Sequence, residues 1–190
     1  GWADLACYGH PVHETPNIDQ LAIDGMRFIQ AYAGSTTCTP TRVAAIFGLY
    51  PARLNTTGQP SYLRDDQSER ALLHPPFETT VPHDKPNLIT DLEQAGYDCY
   101  LLGKWGLTEK AKLFGIRHYP GKDKVIIEET VRYLKATPET PFFLHVNFAW
   151  PHIPLKPYPE IQAKYEKKLK GTKFNPDYAA IVEQIDTATG

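Results

Sequence analysis

The chain has 190 residues and a formal charge of -2, enough length to bury the core of one domain and no excess of charge to draw it toward nucleic acid or a membrane surface. Its basic residues are scattered, and the short Lys164–Lys173 cluster reads as a solvated helix face. No apolar run approaches the length of a membrane span and no signal peptide is visible.

The elements follow in order. Thr15-Pro16 opens a helix that runs through Ala22 and ends at Asp24-Gly25. Met26 to Tyr32 reads as a strand. Pro40 suits the first turn of a helix, where its missing N–H is not needed, and Thr37 or Thr39 is placed to cap that turn. The apolar residues Val43-Ala44-Ala45-Ile46-Phe47 continue the helix to Gly48. Residues 52–86 are polar and Pro-rich without a clear period, which predicts a long surface excursion. Asn87 to Ala95 is an amphipathic helix closed by Gly96, Tyr97 to Leu102 a strand, 106–120 a loop, and Val125 to Leu134 a helix. Phe142 to Phe148 is a strand, and Tyr158 to Leu169 and Pro176 to Ala188 are helices. Helix and strand alternate, which argues for an α/β sandwich around a mostly parallel sheet. Ligands of such sheets gather at the carboxyl ends of strands. Cys38, Lys104 and His152 each follow a predicted strand and so could share one rim.

Residues 38–42 read Cys-Thr-Pro-Thr-Arg, a C-x-P-x-R run. This is the signal by which a cysteine is oxidised to formylglycine, an aldehyde whose hydrate offers two geminal hydroxyls. One can attack the sulfur of a sulfate ester, and the other lets the sulfated adduct fall apart. Cys38 would stand at a helix N-terminus, which favours an anion, with Arg42 one turn along the same face. The competing reading is a small buried thiol. From the pentapeptide alone both remain open. The other two cysteines, Cys7 and Cys99, show no disulfide or metal spacing with it; Cys99 lies in a predicted strand and reads as core, Cys7 as structural. Lys104, in Gly103-Lys-Trp, is either surface decoration or a compact charge for an oxyanion. His152, in Trp150-Pro-His-Ile-Pro, is either a hydrogen-bonded structural residue or a side chain held in place by its flanking prolines.

Blocks along nearly the whole chain resemble the N-terminal part of the type I, formylglycine-dependent sulfatases of the alkaline-phosphatase-like superfamily. They are Gly1-Trp-Ala-Asp-Leu-Ala-Cys-Tyr-Gly, Thr15-Pro-Asn-Ile-Asp-Gln-Leu-Ala, Gly25-Met-Arg-Phe, the Cys38 block through Gly48-Leu-Tyr-Pro, Ala95-Gly-Tyr, Gly103-Lys-Trp, Pro141-Phe-Phe-Leu, Pro151-His-Ile-Pro and Tyr178-Ala-Ala-Ile-Val-Glu. The resemblance implies a three-layer α/β/α sandwich, incomplete here, with residues 1–190 a partial N-terminal catalytic domain. It implies cleavage of a sulfate monoester, as in the arylsulfatases, with formylglycine from Cys38 as nucleophile and Arg42, Lys104 and His152 on the sulfate oxygens. It also implies a divalent metal, Ca2+ or Mg2+. Formylglycine at position 38 would be one ligand, and an aspartate pair before Gly1 and an Asp-Asn pair past Gly190 would complete the site; Asp4 is structural in this scheme. The implied partners are a sulfated small molecule or carbohydrate and a formylglycine-generating or sulfatase-maturing enzyme, and the implied location is periplasmic or secreted.

Some residues depart from the family pattern. Gly106 stands where many members carry the histidine proposed to take the proton that lets the sulfated hemiacetal collapse, and glycine cannot do this. His10, His13, His74, His83, His118 and His145 offer no obvious substitute. Thr41, Phe47 and Leu49 replace a common serine, threonine and arginine. These changes leave two rivals: a phosphonate or phosphodiester hydrolase of the same superfamily, and a non-catalytic sulfate-binding relative. With the inferred Asp and Asn ligands outside residues 1–190, this chain is expected to bind calcium weakly or not at all. Tight stoichiometric binding in a titration would contradict that.

Overall fold

In the computed structural model of the protein, which describes residues 1, 3–58, 78, 80–82, 84–136 and 139–190, the chain divides into two units. One is Tyr32–Asn147; the other joins Gly1–Ala31 to Phe148–Gly190.

The Tyr32–Asn147 unit is built on a parallel sheet of three strands among the described residues, β1 (Asp98–Gly103), β2 (His118–Tyr119) and β3 (Phe142–Asn147), in the order β2-β1-β3. The central strand is apolar on both faces, as a parallel strand covered on both sides must be. Cys99 and Leu101 enter a core with Val43, Ile46 and Phe47 of helix α2 (Cys38–Phe47) and Ile89 of helix α3 (Leu88–Gln94). The alternate residues face helix α4 (Asp123–Lys135): the Tyr100 hydroxyl donates to Glu129 at 3.3 Å, and Asp98 accepts from the Tyr133 hydroxyl at 2.6 Å. Helices thus cover both faces of the sheet, giving the expected α/β/α layering within this unit.

Local chemistry sets the element ends. Asn87 caps α3 by accepting the Thr90 N–H at 3.1 Å. Helix α4 carries Asp123 in its first turn and Arg132 and Lys135 in its last, matching the helix dipole. Gly103 closes β1 in a left-handed conformation, φ +88°. A Cβ there would lie 2.2 Å from the Asn147 carbonyl oxygen, so only glycine lets the ends of β1 and β3 approach this closely.

The other unit packs α1 (Pro16–Asp24), α5 (Pro159–Lys168) and α6 (Pro176–Thr189). Tyr165, Leu169, Ala179 and Ala180 form its core. The fully buried Asp186 of α6 caps α1, accepting the N–H groups of Asn17 at 3.2 Å and Ile18 at 2.8 Å. Lys164 and Lys168, from the cluster read as a solvated face, pair with Glu14, and Lys164 also with Glu183, all at 2.6 Å.

The predicted strand at Met26–Tyr32 is absent: these residues are extended or bent, and Met26, Ile29 and Tyr32 are largely exposed. The composition suits a strand, but a strand exists only where a neighbouring strand pairs with it, and among the described residues the sheet pairs only β1, β2 and β3; the Phe28 carbonyl instead accepts the Tyr8 hydroxyl at 2.7 Å. Cys38 therefore does not follow a strand. The 106–120 loop contains a 3-10 turn, Ala111–Phe114, and the two-residue β2, too short to leave a period in the sequence. Of the expected 52–86 excursion, residues 59–77, 79 and 83 lie outside the described residues, and His74, His83 and Trp2 with them.

Gly103→Ala should lower stability by roughly 2–4 kcal/mol, the sum of overpacking and left-handed strain. Denaturant unfolding that matches the wild type would show that the two strand ends tolerate separation.

Candidate active site

Cys38 is the first residue of α2 and is half-buried. Neither threonine caps the helix in the expected way. Thr37 occupies the cap position without a side-chain capping bond, and the Thr39 hydroxyl donates to the Gly106 carbonyl at 2.6 Å. Thr41 secures the approach to the helix, donating to the Ser35 carbonyl at 2.8 Å and accepting the Ser35 N–H at 3.1 Å. Arg42 donates from Nη1 to the Lys104 carbonyl at 2.7 Å. The first turn of α2 is thus bonded at two points to the loop leaving β1, which brings Cys38, Arg42 and Lys104 into one neighbourhood.

The electrostatics there are one-sided. Burial pulls the Arg42 pKa below its ordinary value, opposed by the Cys38 sulfur; a guanidinium still keeps its charge. The Arg42 Nε is buried with no hydrogen-bond acceptor among the described residues. Among the described residues, no carboxylate lies within ion-pair distance of Arg42 or Lys104. A buried N–H without an acceptor is costly, and an anion supplying one forms a charge-assisted bond. Positive charge and the α2 N-terminus together suit an anion.

Two residues here escaped the sequence reading as site candidates. Phe143, His145 and Asn147 alternate along β3 and share the face on which Phe143 packs against the α2 core. Asn147 Nδ2 is buried without a partner among the described residues, and the Asn147 carbonyl accepts the Lys104 N–H at 2.9 Å. Burial, and secondarily the Arg42 charge, hold His145 below its ordinary pKa, so its imidazole is neutral at pH 7. The available signal was two polar residues, His145 and Asn147, two positions apart at the end of an otherwise apolar strand, Phe142-Phe-Leu-His-Val-Asn. His118 is engaged elsewhere, its Nε2 lying 2.7 Å from the Gly103 carbonyl. Cys99 is buried, as expected, and burial raises its thiol pKa.

Phe47, which replaces a polar residue, is a core residue packed edge-on against Phe114 at 5.4 Å. Its substitution is one of packing.

His152 belongs to the other unit. It is exposed, and its Nδ1 lies 2.6 Å from the Ile153 carbonyl. The same unit holds the only His/Cys/Asp/Glu group with metal-ligand proximity among the described residues, Asp4, His10 and His13. Its geometry is poor for a metal. The two imidazoles stack at 3.5 Å and 17°, so their lone pairs run side by side instead of converging. His10 Nδ1 accepts the His13 N–H at 3.1 Å, and Asp4 accepts the Tyr178 hydroxyl at 2.7 Å. Burial and this bond push Tyr178 up to about 12. Imidazole donors also suit transition metals better than calcium.

The fold is alkaline-phosphatase-like. The crystal structure of Ps i-CgsB in complex with k-i-k-neocarrahexaose superposes with a TM-score of 0.80 at 21% identity, covering 100% of this chain and 51% of that one. The chain belongs to the sulfatase family, whose profile matches residues 1–190. It is 34% identical over 122 residues to the arylsulfatase of Hemicentrotus pulcherrimus, covering 63% of this chain and 20% of that protein. It is 29% identical over 190 residues to the N-acetylgalactosamine-6-sulfatase of Canis lupus familiaris, covering 98% of this chain and 33% of that protein. The chain thus spans a fifth to a third of the length of these curated relatives.

The His145 shift predicts acid sensitivity. The unfolded chain takes up this proton near pH 6.5, and the folded protein only at lower pH. Stability therefore falls as the pH drops through about 6.5 and levels off once the folded imidazole also protonates. His145→Gln should lose less thermal midpoint than wild type between about pH 7.5 and about pH 5. An equal loss in both would remove His145 as a contributor.

Proposed function

We propose that the whole protein is a sulfuric ester hydrolase that splits a sulfate monoester into an alcohol and sulfate, with residues 1–190 forming the N-terminal part of its catalytic domain. The observation that carries this reading is the buried, acceptor-less Nε of Arg42 beside Cys38, in a neighbourhood whose described cations have no carboxylate partner. A doubly or singly charged oxyanion fits such a setting, and a C-x-P-x-R cysteine at the helix N-terminus fits a nucleophile for it.

In this reading a maturation enzyme converts Cys38 to formylglycine. The aldehyde is no larger than the cysteine side chain and suits the same half-buried place at the start of α2. Once formed, it supplies a hydrated nucleophile that attacks sulfur and later releases sulfate. Arg42 holds a sulfate oxygen through its unbonded Nε while its Nη1 stays on the Lys104 carbonyl. Lys104 adds a second positive charge, and His152 serves the departing alcohol oxygen. Charges fixed before reaction are worth most here, since they need no reorganisation as S–O cleavage proceeds. Gly106 takes no part in proton transfer.

The family's Ca2+ or Mg2+ is a separate matter. Calcium takes about six to eight oxygen ligands, and the neighbourhood of Cys38 offers cations and a sulfur instead. The residues described there do not fit the ion by themselves, and none of the roles given to Arg42, Lys104 and His152 passes through it.

A sulfated carbohydrate is the substrate class we favour. The support is the canine relative named for N-acetylgalactosamine 6-sulfate and the structural neighbour solved with k-i-k-neocarrahexaose.

In the full-length enzyme, Lys104→Ala should lower turnover of a generic aryl sulfate about a hundredfold, roughly the 3 kcal/mol of one lost oxyanion contact. Unchanged turnover would take Lys104 out of the site. Preference for an aryl phosphonate over the sulfate would favour the phosphonate hydrolase, and sulfate binding without turnover the non-catalytic relative.

A further inference from the structure

Gly106 is unusual for a reason other than the imidazole it lacks. Its backbone is left-handed, φ +80°, and a Cβ built on it would lie 2.8 Å from Arg42 Cδ and 3.1 Å from Arg42 Nε, with Lys104 Cε at 3.9 Å. The stems of both cations therefore run past the point where a side chain would begin. Neither side of this contact can easily give way. The Gly106 carbonyl is held by the Thr39 hydroxyl at 2.6 Å, and the Arg42 guanidinium by the Lys104 carbonyl at 2.7 Å. The clashing atoms are the middle of the arginine side chain, with its far end pinned, so relief moves the stem and strains one of these bonds.

We propose that Gly106 is a positioning residue for Arg42: with this chain's left-handed backbone at 106, the missing side chain leaves the space through which the Arg42 stem runs toward the anion site, and a Cβ there displaces it. This deepens the sulfatase reading and rests on it for the identity of the anion. It also reverses the simplest expectation about the position. Restoring an imidazole at 106 removes the placed arginine instead of supplying a missing base.

The test uses the full-length protein with Gly106→Asn, Gly106→His, Arg42→Ala and the double variant Gly106→Asn/Arg42→Ala. Asparagine tolerates left-handed backbone, so it isolates the Cβ contact from conformational strain. Three quantities are measured: affinity for inorganic sulfate by calorimetry, turnover of 4-nitrophenyl sulfate, and the thermal midpoint. Both Gly106 variants should weaken sulfate binding about tenfold or more and reduce turnover. Gly106→Asn should add no further loss of sulfate binding to Arg42→Ala, and it should lower the thermal midpoint less in that background, where the clashing atoms are gone.

Higher turnover in Gly106→His would overturn the proposal, as would losses that simply multiply in the double variant. If Gly106→Asn does not fold, folding of the double variant supports the proposal and its failure sinks it. Wild-type sulfate affinity in Arg42→Ala would instead defeat the sulfatase role of Arg42. The thermal cycle then still decides whether Gly106 sets where that side chain lies.

Discussion

The site depends on two hydrogen bonds between the first turn of α2 and the loop leaving β1. Thr39 reaches the Gly106 carbonyl and Arg42 reaches the Lys104 carbonyl, three residues apart on the helix and two apart on the loop. A helix turn presents such neighbours on one side, so the pair fixes both the distance and the rotation of α2 against the strand exit. Cys38, one residue before Thr39, is carried along. A peptide carbonyl thus holds the guanidinium where a carboxylate would have neutralised it. The positive charge remains available to an anion.

The sheet makes this tie possible. Close contact between the ends of β1 and β3, allowed by Gly103, sets the direction in which Lys104 leaves the strand, and the Lys104 N–H is itself bound to the Asn147 carbonyl. Beneath α2, Val43, Ile46 and Phe47 pack on Cys99 and Leu101, so the apolar side of the helix is fixed by burial while its first turn is fixed by hydrogen bonds. Phe47 strengthens the first of these anchors at the expense of a polar group. Gly106 accommodates the second. Both departures from the family pattern thus have a structural basis around the same helix.

Much of this was legible in the sequence because it is local. The start of α2 at Cys38, its stop at Gly48, the helix after Asn87 and the strand before Lys104 all follow from residue types within a few positions. What was hidden depends on residues far apart in the chain. The Met26–Tyr32 segment has strand composition but joins no sheet among the described residues. Thr39 looks like a helix cap until its hydroxyl is seen donating to a carbonyl 67 residues away. Gly106 looks like a deletion until the arginine stem beside it is seen. His145 and Asn147 were concealed by their strand, whose apolar neighbours suggested plain burial.

The chemistry assigned to the site rests on the state of residue 38, because the cation pair and the helix N-terminus could hold an anion around an unmodified cysteine just as well. The most direct measurement is the mass of the peptide containing residue 38, taken from full-length protein made in a host with the maturation machinery and treated with iodoacetamide. The account predicts a peptide lighter than the thiol form, reactive toward carbonyl reagents and unalkylated. A peptide carrying the alkylated thiol throughout would contradict it.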